Sequence, residues 1–204
     1  MALTTYSGLK ASIAGWLNRE DLTTQIDDFI DLAEARFNRE LRTNDMLARS
    51  TTIITDAYVT LPDDWKQLIS VEIDGFNDAA TYIATKEFYD KVADGYSGTP
   101  RYYTIVGNAI RLLPAPSPTA TVEITYYQSI PALSDTQTSN WLLTKSPDLY
   151  LFGALMAAEP YLMNDERVAL WAAQSTSIIA AMNLESERAK RPSGELRRKA
   201  KSFG

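Results

Sequence analysis

Apolar residues recur along this chain with two different periods, and the change of period divides it. Tyr6, Leu9, Ile13, Trp16 and Leu17 fall at the spacing of one helix face. Asn18 to Asp21 is a polar break. Ile26, Phe29, Ile30, Ala33, Phe37 and Leu41 form a second stripe, which predicts a helix over about Thr24 to Thr43. Thr23 or Thr24 is its expected cap, with Asp27 and Asp28 at its positive end. Near Ala48 the period drops to two. Ser50–Thr55 and Tyr58–Leu61, either side of Asp56-Ala57, predict a hairpin. Leu68–Ile73 alternates into an Asp74-Gly75 turn. Thr85, Phe88, Tyr89 and Val92 suggest one short helix ending near Gly95. Arg101–Val106 and Ala109–Leu113 flank Gly107-Asn108 as a further hairpin, and Ala120–Gln128 alternates as a last strand.

The helical period returns in the last third. Ser146-Pro147-Asp148 combines a capping hydroxyl, a proline suited to the first helical position and an acid in the first turn. Leu149–Leu162 is almost wholly apolar, so that helix is expected to be buried on most sides and to end or kink at Pro160. A long helix then runs from Asp165 to Lys190, roughly 40 Å at 1.5 Å per residue. Its stripe, Val168, Trp171, Ile178, Ile179 and Met182, reads as core. Past Leu184 the apolar face fades, and this end is expected to project from its domain.

Two helices, a block of strands with one short helix, then two long helices argue against alternating βαβ units. The fold expected is α+β: a helical bundle from both chain ends (1–47 with 129–190), an inserted antiparallel β domain (48–128), and a tail (191–204) continuing an extended C-terminal helix.

Composition removes chemistry rather than adding it. There is no cysteine, hence no disulfide or thiolate, and no histidine, the commonest general base and transition-metal ligand. The longest apolar run is too short to span a bilayer. The net charge of −6 hides an asymmetry: residues 187–204 hold seven basic and two acidic side chains, or +5, which leaves −11 on the other 186. Helix C-termini favour cations, which accounts for Arg188 to Arg191 but less well for Arg197 to Lys201 beyond Pro192-Ser193-Gly194.

The candidate sites each have a plain structural reading. Asp27, Asp28, Asp31 and Glu34 could supply a carboxylate pair for glycoside hydrolysis, but an acidic N-terminal helix face explains them more simply. Asp63-Asp64 and Asp165-Glu166 lack ligand spacing for a divalent ion. No phosphate loop or GxGxxG occurs, so no cofactor is expected. Arg101-Tyr102-Tyr103 and Tyr126-Tyr127 could stack bases, although strand packing is the simpler account beside an acidic body.

The chain resembles the head-to-tail adaptor (connector) proteins of tailed bacteriophages. The likeness lies in Leu9–Arg19, Asp21-Leu22-Thr23, Ile26–Arg42, Leu61–Trp65, Ser146–Leu155 and Asp165-Glu166-Arg167, taken in order. It implies a structural virion protein, not an enzyme. It implies a closed ring of about twelve copies beneath the portal protein, joined on its far side to a tail or nozzle protein, with monomer an allowed state of the free chain. Double-stranded DNA would pass through without specific binding, and no membrane is involved. The resemblance places assembly in the host cytoplasm and the finished ring at the head–tail junction of the virion. It also implies that the C-terminal segment docks on the portal, here through Arg188, Lys190, Arg191, Arg197, Arg198, Lys199, Lys201 and Phe203. Two further readings stand beside it: a peptidoglycan-cleaving glycosidase using an acid such as Glu34, and a nucleic-acid-binding module acting through the basic tail.

Overall fold

The computed structural model describes residues 3–54, 56–75, 78–98, 100–115, 120–163 and 165–190. The chain divides into two units, one formed by the residues up to Asn44 and from Pro131 onward, the other by Asp45–Ile130. The architecture is α+β, with a helical bundle drawn from both ends of the chain and a β domain inserted between them in sequence.

In the helical unit, α1 (Tyr6–Leu17) and α2 (Thr23–Glu40) come from the N-terminal end. A short α4 (Trp141–Lys145), α5 (Pro147–Tyr161) and α6 (Asp165–Ala189) come from the C-terminal end. Thr5 caps α1 by accepting the Gly8 N–H at 3.2 Å, and Asn18 ends it in the left-handed region that asparagine tolerates. All the other helices of this unit pack on α5. Its Leu149, Tyr150, Leu151, Ala154, Leu155 and Ala158 are buried, so the nearly uniform apolar run is the axis of the bundle. Phe37 meets Tyr150 edge to face at 5.3 Å, and each such burial contributes about 1.5–3 kcal/mol. Arg36 joins three helices: it pairs with Glu40 and donates to Met156 Sδ and to Thr176 Oγ1, each at 2.9 Å.

The second unit holds two sheets. One has the order β1 (Leu47–Ile54), β7 (Ala120–Gln128), β3 (Trp65–Ile73). The other has the order β2 (Tyr58–Thr60), β6 (Ala109–Leu113), β5 (Tyr102–Val106), β4 (Thr81–Tyr82). Inward residues of both, including Ile54, Val71, Val122 and Ile124 from the first and Val59, Tyr103, Ile110 and Leu112 from the second, make one core. Helix α3 (Thr85–Ala93) covers part of the outer face of the second sheet through Phe88, packed with Ile83 and Leu113.

Several local expectations are corrected. The segments around Asp56-Ala57 do not pair with each other: β1 lies antiparallel to β7, and β2 antiparallel to β6. Ile54 and Val59 both enter the shared core, so the chain turns a corner from one sheet to the other here. Alternation identifies a strand but not its neighbour. Helix α2 ends at Glu40, short of Thr43, because Leu41 is extended, and no side-chain cap opens it. The Ser146 hydroxyl donates to Asp148 Oδ1 at 2.7 Å rather than capping a backbone amide. The two-residue β4 pairs parallel with β5 and carries no signal of its own, which makes this sheet mixed rather than purely antiparallel.

Candidate functional site

The residues predicted to dock begin where α6 ends, so the anchorage of that end decides what they can do. Its last turns do not project away, as the fading apolar pattern suggested. The Asn183 amide accepts the backbone N–H of Arg42 at 2.8 Å and donates to the carbonyl of Glu40 at 3.0 Å. Ser186, only 6% exposed, accepts the backbone N–H of Asn44 at 2.9 Å, while Asn44 Nδ2 donates to the Ser186 carbonyl at 3.4 Å. The chain leaving α2 has backbone groups with no helical partner, and two polar side chains of α6 satisfy them. A hydrophobicity pattern cannot register this: the grip is made by hydrogen bonds from residues that score as surface.

Arg188 and Lys190 follow directly, both exposed, with Lys190 Nζ 2.8 Å from Glu187. Exposed pairs of this kind contribute about 0–1 kcal/mol. Arg191, Arg197, Arg198, Lys199, Lys201 and Phe203 lie outside the described residues. The part of the expected docking segment that is described is thus a short cationic end on a firmly held helix.

The acidic residues singled out on α2 separate into different roles. Asp27 accepts from Tyr6 Oη at 2.9 Å and pairs with Lys10 at 3.1 Å, joining α1 to α2. Glu34 is 5% exposed. Its Oε1 accepts the backbone N–H of Leu133 at 3.0 Å and the hydroxyl of Tyr150 at 2.8 Å. Tyr150 accepts in turn from Asn140 Nδ2 at 2.7 Å, and Asn140 also donates to the Pro131 carbonyl and caps α4 through the Leu143 N–H. Burial raises the Glu34 carboxyl above the usual range, against the opposing pull of those two hydrogen bonds. Burial, and then the charge of Glu34, likewise raise the Tyr150 phenol. This is a structural carboxylate that fixes the returning segment 131–140 to the bundle. Glu159, 2% exposed, accepts from Trp171 Nε1 at 3.0 Å in the same manner.

Of the aromatic strand residues, Tyr102 is half-buried and the other three are packed rather than offered to bases. Tyr103, Tyr126 and Tyr127 are buried, and Tyr126 Oη donates to Asp64 at 3.1 Å. Among the described residues no cluster of carboxylates could hold a metal ion, and no helix is long and apolar enough to cross a membrane.

Among the described residues, the acids and aromatics singled out in the sequence serve mainly to hold elements of each unit together. Residues 4–198 match the family model of the SU10 adaptor protein. The chain belongs to that family. The match takes in the helices at both ends and the β insertion, so the head-to-tail resemblance holds across the fold: this is a phage adaptor, a structural component of the virion. No curated protein matches the chain.

Proposed function

We propose that this adaptor works as a closed ring of about twelve copies beneath the portal, held to it by the basic C-terminal end and passing DNA through its centre to the tail. The observation that carries the reading is the anchorage of α6. Asn183 and Ser186 bind it to the chain leaving α2, so the cationic segment beginning at Arg188 starts from a fixed root. A fixed root presents the cationic end from a defined position, which favours its docking on a partner groove. Charge supports the rest. An acidic body repels phosphate and leaves a duplex free to slide, while the +5 of residues 187–204 complements an acidic groove.

The domain roles follow the resemblance: 1–47 with 129–190 on the portal side, 48–128 toward the tail and neighbouring copies, 191–204 as the docking segment. Deleting Pro192–Gly204 tests the central claim. The truncated chain is expected to keep its circular dichroism and melting temperature and to lose retention on immobilised portal. Retention equal to that of the full chain would overturn the docking role.

A further inference from the structure

The β unit carries two opposite charges that cannot meet within one copy. Arg111 stands on β6, on the face opposite the inward Ile110 and Leu112. Its guanidinium carbon lies 5.3 Å from the ring centroid of Tyr58, 5.4 Å from Phe88 and 5.2 Å from Tyr89. Three rings from β2 and α3 therefore frame one cation, and Arg111 has no ion pair among the described residues. Tyr58 and Tyr89 are 46% and 44% exposed beside it. A framed arginine with tyrosine neighbours has the composition of an interface anchor. The rings restrict its rotamers before binding, and its N–H fork matches a carboxylate.

On the outer face of the other sheet, Glu72 of β3 stands directly opposite Glu123 of β7. Like charges at such a pair are unfavourable. Arg49 answers Glu123 with an ion pair, whereas among the described residues Glu72 has only the Ser70 hydroxyl at 3.4 Å. Both acids line an open hollow of 290 Å³ with Asp74, Thr51 and Thr121. An unanswered acid thus occupies one outer face of the sandwich and an unanswered arginine the other, with the shared core between them.

We infer that Arg111 of one copy enters the Glu72 hollow of the next. This rests on the ring reading above and names the contact that orders it. Surfaces on two different faces make a head-to-tail contact, which repeats around a ring, whereas a self-complementary face would stop at a dimer. Tyr58 and Tyr89 then close over the rim of the hollow and exclude water from the pair.

Charge reversal in the full chain tests this by native mass measurement, alone and with portal. Arg111→Glu puts acid against acid, and Glu72→Arg, at an exposed site where folding is not at issue, puts base against base. Each single variant is expected to fall from the ring to single chains. Mixed one to one they are expected to reassemble as an alternating ring, since every junction is again a mixed-charge pair, and this recovery also shows that both are folded. The double variant is expected to form rings by itself. If the unmodified chain forms rings and Glu72→Arg forms them equally well, or if the mixture fails to assemble, the contact is overturned while the ring stands. If the unmodified chain yields no multimer even with portal, the ring and the contact fall together.

Discussion

The Ser186 hydroxyl accepts the backbone N–H of Asn44 at 2.9 Å, across 142 residues of sequence. This bond, with the Asn183 pair to Glu40 and Arg42, fixes the far end of a 25-residue helix to the chain leaving α2. Ser186→Ala leaves a partly buried amide without its acceptor, at a cost of about 1–2 kcal/mol. Urea denaturation should show that loss. Hydrogen exchange should quicken at Asn44 and along the last turns of α6 while α5 is unchanged.

Glu34 divides two substitutions cleanly. Glu34→Ala strands the Leu133 amide and the Tyr150 hydroxyl, both inside the bundle, and should destabilise by about 2–4 kcal/mol. Glu34→Gln keeps an acceptor for both and should fold nearly as well as the parent at neutral pH.

The same residue sets a pH dependence. Burial raises the folded carboxyl above its ordinary value of 4.5, so the folded state binds the proton more tightly than the unfolded state. The contribution is fully present below pH 4.5 and is lost as pH rises through the raised value. Melting curves of the parent and Glu34→Gln from pH 4 to 7 should therefore diverge, with the parent losing more stability as pH rises. Parallel curves would contradict the assignment.

Gly153 allows α5 and α2 to approach. A Cβ there would lie 2.6 Å from Cζ of Phe37 and 3.1 Å from Cβ of Ala33. Phe37 is fully buried and its ring is held against Tyr150, so it has nowhere to retreat. Gly153→Ala should cost about 1–3 kcal/mol in chemical denaturation despite the better helix propensity of alanine. Pairing it with Phe37→Leu should recover part of the loss.

Trp171 holds the buried carboxylate of Glu159 through its indole N–H. It also stacks on Phe152 at 5.6 Å and meets Trp16 at 5.7 Å. Trp171→Phe keeps much of the stacking but removes the donor, and should destabilise by about 1–3 kcal/mol. A double-mutant cycle with Glu159→Gln measures how much of that is the hydrogen bond rather than the ring.

The elements themselves were legible in the chain. The spacing of Tyr6, Leu9 and Ile13 and of Ile26, Phe29, Ile30, Ala33 and Phe37 marks which faces α1 and α2 bury, because a helix must turn one stripe toward a core. The alternation of Val122, Ile124 and Tyr126 marks the inward side of β7 for the same reason. The charge split between residues 187–204 and the rest of the chain suggested an interaction tail. Tertiary structure alone decided the partners. Nothing local states that β1 joins β7 instead of β2, since strand pairing depends on residues 66–80 positions away. Nor does a serine near the end of α6 announce that it completes the backbone bonding of Asn44, or Glu34 that it lies under Leu133 rather than in water. Periodicity reports how a segment divides apolar from polar surface. Long-range hydrogen bonds and close approaches such as Gly153 under Phe37 depend on where the other segments come to rest.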